Sequence, residues 1–199
     1  MDSKHSRATN LSTPRIVLVL VLLSQTMSWA QNPVSHAIPA CGKAKVNLPN
    51  PKYLTSSEGI IVVEPPAGWV LDKEKGGVFF FVKQGENYEN ARTLMYIHVE
   101  GLAVPFQRAV QADVQDFREK CPEADVQDLA RMNLLELGCE SKTQLFACHR
   151  KKNPYVELVT KVSFNGSLLN VVLSSDASSE ISLYKEDYGS LLKHLTMIK

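Results

Sequence analysis

The sequence predicts an α+β fold: a mainly antiparallel β-sheet with a mid-chain helix and a C-terminal helix packed on it. Three observations predict it. The stretch Pro154–Ser174 holds two β-rich runs around Asn165-Gly166, the dipeptide that accepts the positive φ angles of a two-residue hairpin turn. Phe106, Val110, Val114, Phe117 and Cys121 recur at the three- and four-residue spacing of one apolar helical stripe. The order of runs is strands, helix, strands, helix, which suits helices on a single sheet rather than alternating βαβ units.

The 199-residue chain opens with a basic leader, Lys4, Arg7 and Arg15, followed by an unbroken apolar run of eight, Ile16–Leu23, and small residues at Ser28 and Ala30. That is the layout of a secretory signal peptide, residues 1–30, cleaved before Gln31. The run is far shorter than the ~20 apolar residues a bilayer crossing needs, so a transmembrane anchor is the weaker reading, and no later stretch is long and apolar enough to span. A second alternative is lipid attachment at Cys41, after Ile38-Pro39-Ala40, although seventeen residues separate it from the apolar run. Residues 31–58 carry four prolines, at 33, 39, 49 and 51, and read as an extended tail before a single domain over 59–199.

In the domain, Gly59–Glu64 is a short apolar strand, broken by Pro65-Pro66-Ala67-Gly68 and resumed at Trp69-Val70-Leu71. Val78–Val82 reads VFFFV, the continuous apolar pattern of a strand covered on both faces. Thr93–Glu100 alternates, with Thr93, Met95, Ile97 and Val99 on one side and Leu94, Tyr96, His98 and Glu100 on the other. The helix follows, with Pro105 in its first turn and Pro122 ending it. Residues 125–138 fit a strand better than a helix. Glu140-Ser141-Lys142-Thr143 then looks like a hairpin loop leading into a strand over 144–151.

The Asn165-Gly166 turn sets the register of the long hairpin. Leu158 faces Leu173, Thr160 faces Val171, Val162 faces Leu169 and Phe164 faces Ser167, giving an apolar face. The opposite face is mixed: Glu157/Ser174, Val159/Val172, Lys161/Asn170 and Ser163/Leu168. Serines at 174, 175, 178 and 179 offer turn and cap oxygens to a last helix from about 179 to 195. Its buried stripe is Leu183 or Tyr184, then Tyr188, Leu191, Leu192 and Leu195.

The opening strand with its Pro66-x-Gly68-Trp69 break, the aromatic strand, the helix after the Tyr96 strand, the long hairpin and the terminal helix together resemble the PsbP-like group of folds, over roughly residues 58–198. The group includes the photosystem II extrinsic protein, a nuclear-import regulator that binds a small GTPase, and bacterial periplasmic lipoproteins. The resemblance implies a protein that binds or assists another protein. It carries over no site residue, because the group shares no catalytic motif.

Removing the leader takes away three basic residues and one acidic residue (Asp2), which changes the net charge from +1 to −1. That near-neutrality argues against a nucleic-acid binder, whose usual footprint is a basic face. The four cysteines, Cys41, Cys121, Cys139 and Cys148, all follow the leader, and an even count in an exported chain reads as two disulfides. Of three connectivities the favoured one is Cys41–Cys121 with Cys139–Cys148. No two cysteines form a CxxC pair, and the histidines at 36, 98, 149 and 194 lack zinc-ligand spacing, so no metal and no cofactor is expected.

His98, beside Tyr96 and Glu100, is an acid–base candidate or a packed sheet histidine. His149 adjoins Cys148, but strand neighbours point to opposite faces, which argues against a Cys/His pair. His149-Arg150-Lys151-Lys152 is a basic run suited to an acidic partner or to a solvated strand end. Asn165-Gly166-Ser167 matches a glycosylation acceptor, though the turn already accounts for Asn165 and Gly166. Trp69 is read as structural, closing the sheet edge against a helix. No glycine-rich phosphate loop or Gly-x-Ser-x-Gly elbow occurs. The sequence therefore points to a non-enzymatic secreted or periplasmic accessory protein whose partner is another envelope or extracellular protein. The alternatives are an exported enzyme with a site built from His98, Tyr96 and Glu157, or a small-ligand carrier.

Overall fold

The computed structural model describes residues 48–129, 140–150 and 154–198. Seven strands form the larger sheet: β3 (Trp69–Lys75), β4 (Val78–Lys83), β5 (Thr93–Gly101), β6 (Asp125–Asp128), β7 (Ser141–Cys148), β8 (Tyr155–Phe164) and β9 (Ser167–Ser175). Their order is β3-β4-β5-β9-β8-β7-β6, and every neighbouring pair is antiparallel. A smaller sheet joins β1 (Lys52–Ser56), β2 (Gly59–Val63) and β10 (Leu195–Ile198) in the order β1-β2-β10. The helices are α1 (Phe106–Lys120) and α2 (Ser178–Lys193). This is the α+β architecture expected, among the described residues.

The β8–β9 hairpin sits inside the larger sheet, with β5 beside β9 and β7 beside β8. Its register is the one the turn dictates: Phe164 opposes Ser167, Leu158 opposes Leu173 and Lys161 opposes Asn170. Asn165 (φ 47°) and Gly166 (φ 79°) both occupy the left-handed region that a two-residue turn of this kind demands. Alternation then assigns the faces. Leu158, Val162, Leu169, Val171 and Leu173 join Met95, Ile97, Phe79 and Phe81 in the main core. Over this face lie α2, through Ile181, Tyr188, Leu191 and Leu192, and the small sheet, through Leu54, Ile61, Val63, Leu195 and Met197. Tyr188 is fully buried, and its hydroxyl donates to the Val171 carbonyl at 2.8 Å, which gives the ring's polar end a partner. The opposite face packs on α1: Phe117 meets Phe146, Val159 and Val172, while Phe106 and Val110 meet Leu168.

Several expectations need correction. The stretch 31–58, read as tail, contains β1. Leu54 turns inward to 4 % exposure, and Tyr53 opposes Val62 across the pair. The C-terminal helix stops at Lys193, and Leu195–Ile198 pairs with β2, so Leu195 is a strand residue; Leu183 is exposed and Tyr184 rather than Leu183 packs on the core. Ser141–Thr143, read as loop, already belongs to β7, which pairs with β6. Of the stretch 125–138, read as a strand, Asp125–Asp128 is strand β6 and residues 130–138 fall outside the described residues. Serine provides no side-chain cap at the start of α2, although the Ser175 hydroxyl accepts from the Ala177 N–H at 3.3 Å.

The favoured disulfide pairing is also wrong. Cys121 bonds to Cys148, 27 positions further along the sequence, with Cα atoms 6.0 Å apart. The reason is the path of α1. It returns across the sheet so that its C-terminal cap, Cys121, lands over the end of β7, where Phe117 and Phe146 stack edge-on with centroids 4.9 Å apart. Neither Cys41–Cys121 nor Cys139–Cys148 can then exist. Cys41 and Cys139 lie outside the described residues. A bridge of this span contributes about 2–4 kcal/mol, chiefly by restricting the unfolded chain.

Trp69 opens the edge strand β3. The Trp69 N–H donates to the Pro66 carbonyl at 3.0 Å, and Gly68 takes φ 78° at the third position of that turn. The indole is 4 % exposed, and its Nε1 donates to Asp187 of α2 at 2.8 Å. Lys83, opposite Trp69 in the β3–β4 pair, donates to the same carboxylate oxygen at 3.0 Å. Its ammonium lies 4.5 Å from the Trp69 ring centroid and 4.2 Å from that of Tyr184. One indole therefore fastens α2 to the sheet edge by packing, a hydrogen bond and a cation–π contact. Trp69→Ala should cost about 3–5 kcal/mol, read as a lowered denaturation midpoint with an unchanged slope; an unchanged midpoint would contradict this arrangement.

Candidate functional site: the polar layer beneath α1

The sheet face that receives α1 carries charged and polar side chains among its apolar ones, because the hairpin register points Glu157, Lys161, Asn170 and Ser174 to that side. Lys161 is 5 % exposed. Its Nζ donates to Asn170 Oδ1 at 2.7 Å and pairs with Asp113 of α1 at 3.0 Å. Asn170 Nδ2 donates in turn to Glu100 Oε1 at 3.2 Å. A chain of bonds thus runs from the helix through β8 and β9 to the end of β5. Burying an ammonium is tolerable only with such partners.

Four residues from Lys161 along β8, Glu157 Oε1 accepts from the Tyr96 hydroxyl at 3.4 Å. Burial pushes the Glu157 carboxyl above its usual range, the nearby Asp113 charge adds to the rise, and hydrogen bonds from Ser174 and Tyr96 oppose it. Burial also raises the Tyr96 phenol, with the Glu157 charge second. The candidates His98, Tyr96 and Glu157 are therefore partly assembled. Tyr96 and Glu157 meet, whereas His98 stands two residues further along β5, opposite Asn170. The residues that the sequence reading passed over are Lys161, Asn170, Glu100 and Asp113. The register had placed Lys161 against Asn170; only the helix crossing brings Asp113.

Two cavities flank α1. One, of about 760 Å³, lies between the helix and β6–β7 and is lined by Gln107, Gln111, Gln115, Arg118, Asp128 and Lys142 among others. Asp128 there accepts from Lys142 at 2.6 Å and from Gln144 at 2.9 Å, and these bonds hold its carboxyl below the usual range. Gln107 donates to Glu140 at 3.0 Å. The other, of about 340 Å³, lies by the N-terminal half of α1. None of His98, Tyr96 and Glu157 lines either one.

Elsewhere, Asn165 and Gly166 cap the hairpin; the Leu102 N–H donates to the Gly166 carbonyl at 2.9 Å. Ser167 is fully buried and its hydroxyl donates to Glu58 at 3.2 Å. Next to the basic run Cys148 is buried; within the run His149 and Arg150 are exposed, with Arg150 3.9 Å from Glu123, and Lys151 and Lys152 lie outside the described residues. Cys121, Glu123 and Cys148 form the metal-compatible group found among the described residues, but the disulfide engages both sulfurs. No helix among the described residues is long and apolar enough to cross a membrane.

No protein family and no curated protein matches this chain. Among solved structures, it is similar to cyanobacterial PsbP (CyanoP) from Synechocystis sp. PCC 6803, at 13% identity and a TM-score of 0.52, covering 79% of this chain and 98% of that one. It is likewise similar to the Ran-binding protein Mog1p of Saccharomyces cerevisiae, at 12% identity and a TM-score of 0.50, covering 75% and 96%. The chain has the PsbP-like fold.

Because the folded state raises Glu157's pKa above the ordinary 4.5, it holds that proton more tightly than the unfolded chain does. The associated stability is fully present below about pH 4.5 and is lost as pH rises through the raised value. Glu157→Gln should therefore be more stable than the wild type at pH 7 and gain nothing at pH 4, measured by urea unfolding at both. An equal change at the two pH values would contradict a buried, proton-holding carboxyl.

Proposed function

We propose that this chain is an exported, non-enzymatic binding or accessory protein that docks on another envelope or extracellular protein. The observation that carries the reading is how the polar groups around α1 are used. Lys161 is tied to Asp113 and Asn170, Asp128 to Lys142 and Gln144, and Gln107 to Glu140. Such groups hold a shaped polar surface; a general acid or base instead has to meet a substrate proton at hydrogen-bond distance. Export is supported by the leader layout and by the Cys121–Cys148 bridge, since disulfides persist in oxidising compartments. The fold similarity to a Ran-binding protein supports a binding role on the same scaffold.

A second reading, an exported enzyme, is favoured by the Tyr96–Glu157 pair, where a partly buried carboxyl holds its proton as a general acid does. It is the lesser reading because the pair sits in the packed layer and lines neither cavity.

The test uses the full-length chain in its own cells, with a photo-crosslinking residue at exposed Gln111 on the groove wall. The expected result is one discrete adduct with a second protein, on a mature chain that begins at Gln31. Recovery of the uncrosslinked monomer alone would contradict docking, and a retained leader would contradict export.

A further inference from the structure

The smaller cavity beside α1 has the chemistry of a side-chain slot. It is formed where β5 ends at Glu100-Gly101, the chain runs out through Leu102–Val104, and α1 presents Ala109 and Ala112. The two alanines leave the space; larger side chains at those helical positions would fill it. Leu102, Leu168 and Val104 give it apolar walls, and Val104 is 40% exposed.

Its ionisable lining is three carboxylates, Glu100, Asp113 and Asp116, against one ammonium, Lys161. Lys161 is committed to Asp113 and Asn170, and Asp116 is bonded on its outer side to Lys120 at 2.5 Å. Glu100 takes its hydrogen bond from the neutral Asn170 amide, so its charge is the least compensated at the mouth. An anion entering would face all three carboxylates. A cation with an apolar stem meets complementary surface at both ends: the stem along Leu102 and Val104, the charged head at Glu100. The volume, about 340 Å³, is at the lower end of the ~300–1,000 Å³ usual for small-molecule sites, which suits one side chain.

We propose that this cavity receives a basic side chain, arginine above lysine, of the protein partner. A guanidinium's planar fork can engage a carboxylate through two parallel bonds, which an ammonium cannot. The inference rests on the binding role proposed above and names the chemistry by which one flank of α1 recognises its partner.

The test is an NMR titration of the mature protein with N-acetyl-arginine methylamide, and with the norleucine analogue as an uncharged control. Saturable shifts are expected at the Gly101, Leu102 and Ala112 amides with the arginine analogue and not with the control. Glu100→Gln should weaken binding about two- to fivefold, the range of an exposed ion pair. Ala112→Leu, at an exposed helical position where leucine is a good helix former, should fill the slot and abolish binding with the fold intact. No saturable shift, an equal response to the norleucine analogue, or an affinity unchanged in either variant would overturn the slot. Gln111 faces the opposite flank of α1. A Gln111 adduct that persists while the arginine analogue fails to bind would therefore overturn the slot alone, whereas loss of the adduct would overturn the binding role itself.

Discussion

The register of the β8–β9 hairpin is the constraint on which the rest of the molecule depends. Asn165 and Gly166 accept left-handed backbone angles, and with the turn fixed every cross-strand pair is fixed. Because side chains alternate, a slip of one residue would exchange the two faces. Glu157 and Lys161 would enter the main core, and Leu158, Val162 and Phe164 would lie under α1. The cost of an unpartnered buried charge makes that alternative untenable. One turn thus decides which side of the central sheet becomes core and which becomes the polar layer.

The two faces are then closed by different means. On the core side α2 and the small sheet bury a continuous apolar surface, and the Trp69–Asp187–Lys83 cluster secures the edge. On the other side α1 is a helix of mixed contacts. Its ends are anchored by Phe106 and Val110 on Leu168 and by Phe117 and Cys121 on Phe146 and Cys148. Its middle meets the sheet through the Asp113–Lys161 pair. A helix held at both ends over a polar layer leaves shaped polar flanks, and those flanks are where the proposed contacts belong.

Much of this was legible in the sequence where a local signal was strong. The hairpin register, the Thr93–Val99 inward set and the α1 stripe follow from turn chemistry and period alone. The misses have physical causes. Lys52–Ser56 offers one inward apolar residue, Leu54, so its strand character comes from pairing with β2. Leu195 continues the spacing of Leu191 and Leu192, which hid that Leu195 and Met197 alternate inward as a strand. Cys121–Cys148 and Asp113–Lys161 depend on the angle at which α1 recrosses the sheet, and no sequence period encodes that angle. The site was accordingly half visible: Tyr96 and Glu157 could be placed on one face, but the helix residue that completes the layer could not.

The most direct measurement of this account is a double-mutant cycle between the helix and the hairpin, using Asp113→Asn, Lys161→Met and the double variant in equilibrium unfolding. If the register and the helix crossing are as described, the two substitutions are coupled by about 0.5–3 kcal/mol, since each removes the same contact. Effects that simply add, within about 0.5 kcal/mol, would show that Lys161 does not meet α1 and would contradict the polar layer on which the functional reading stands.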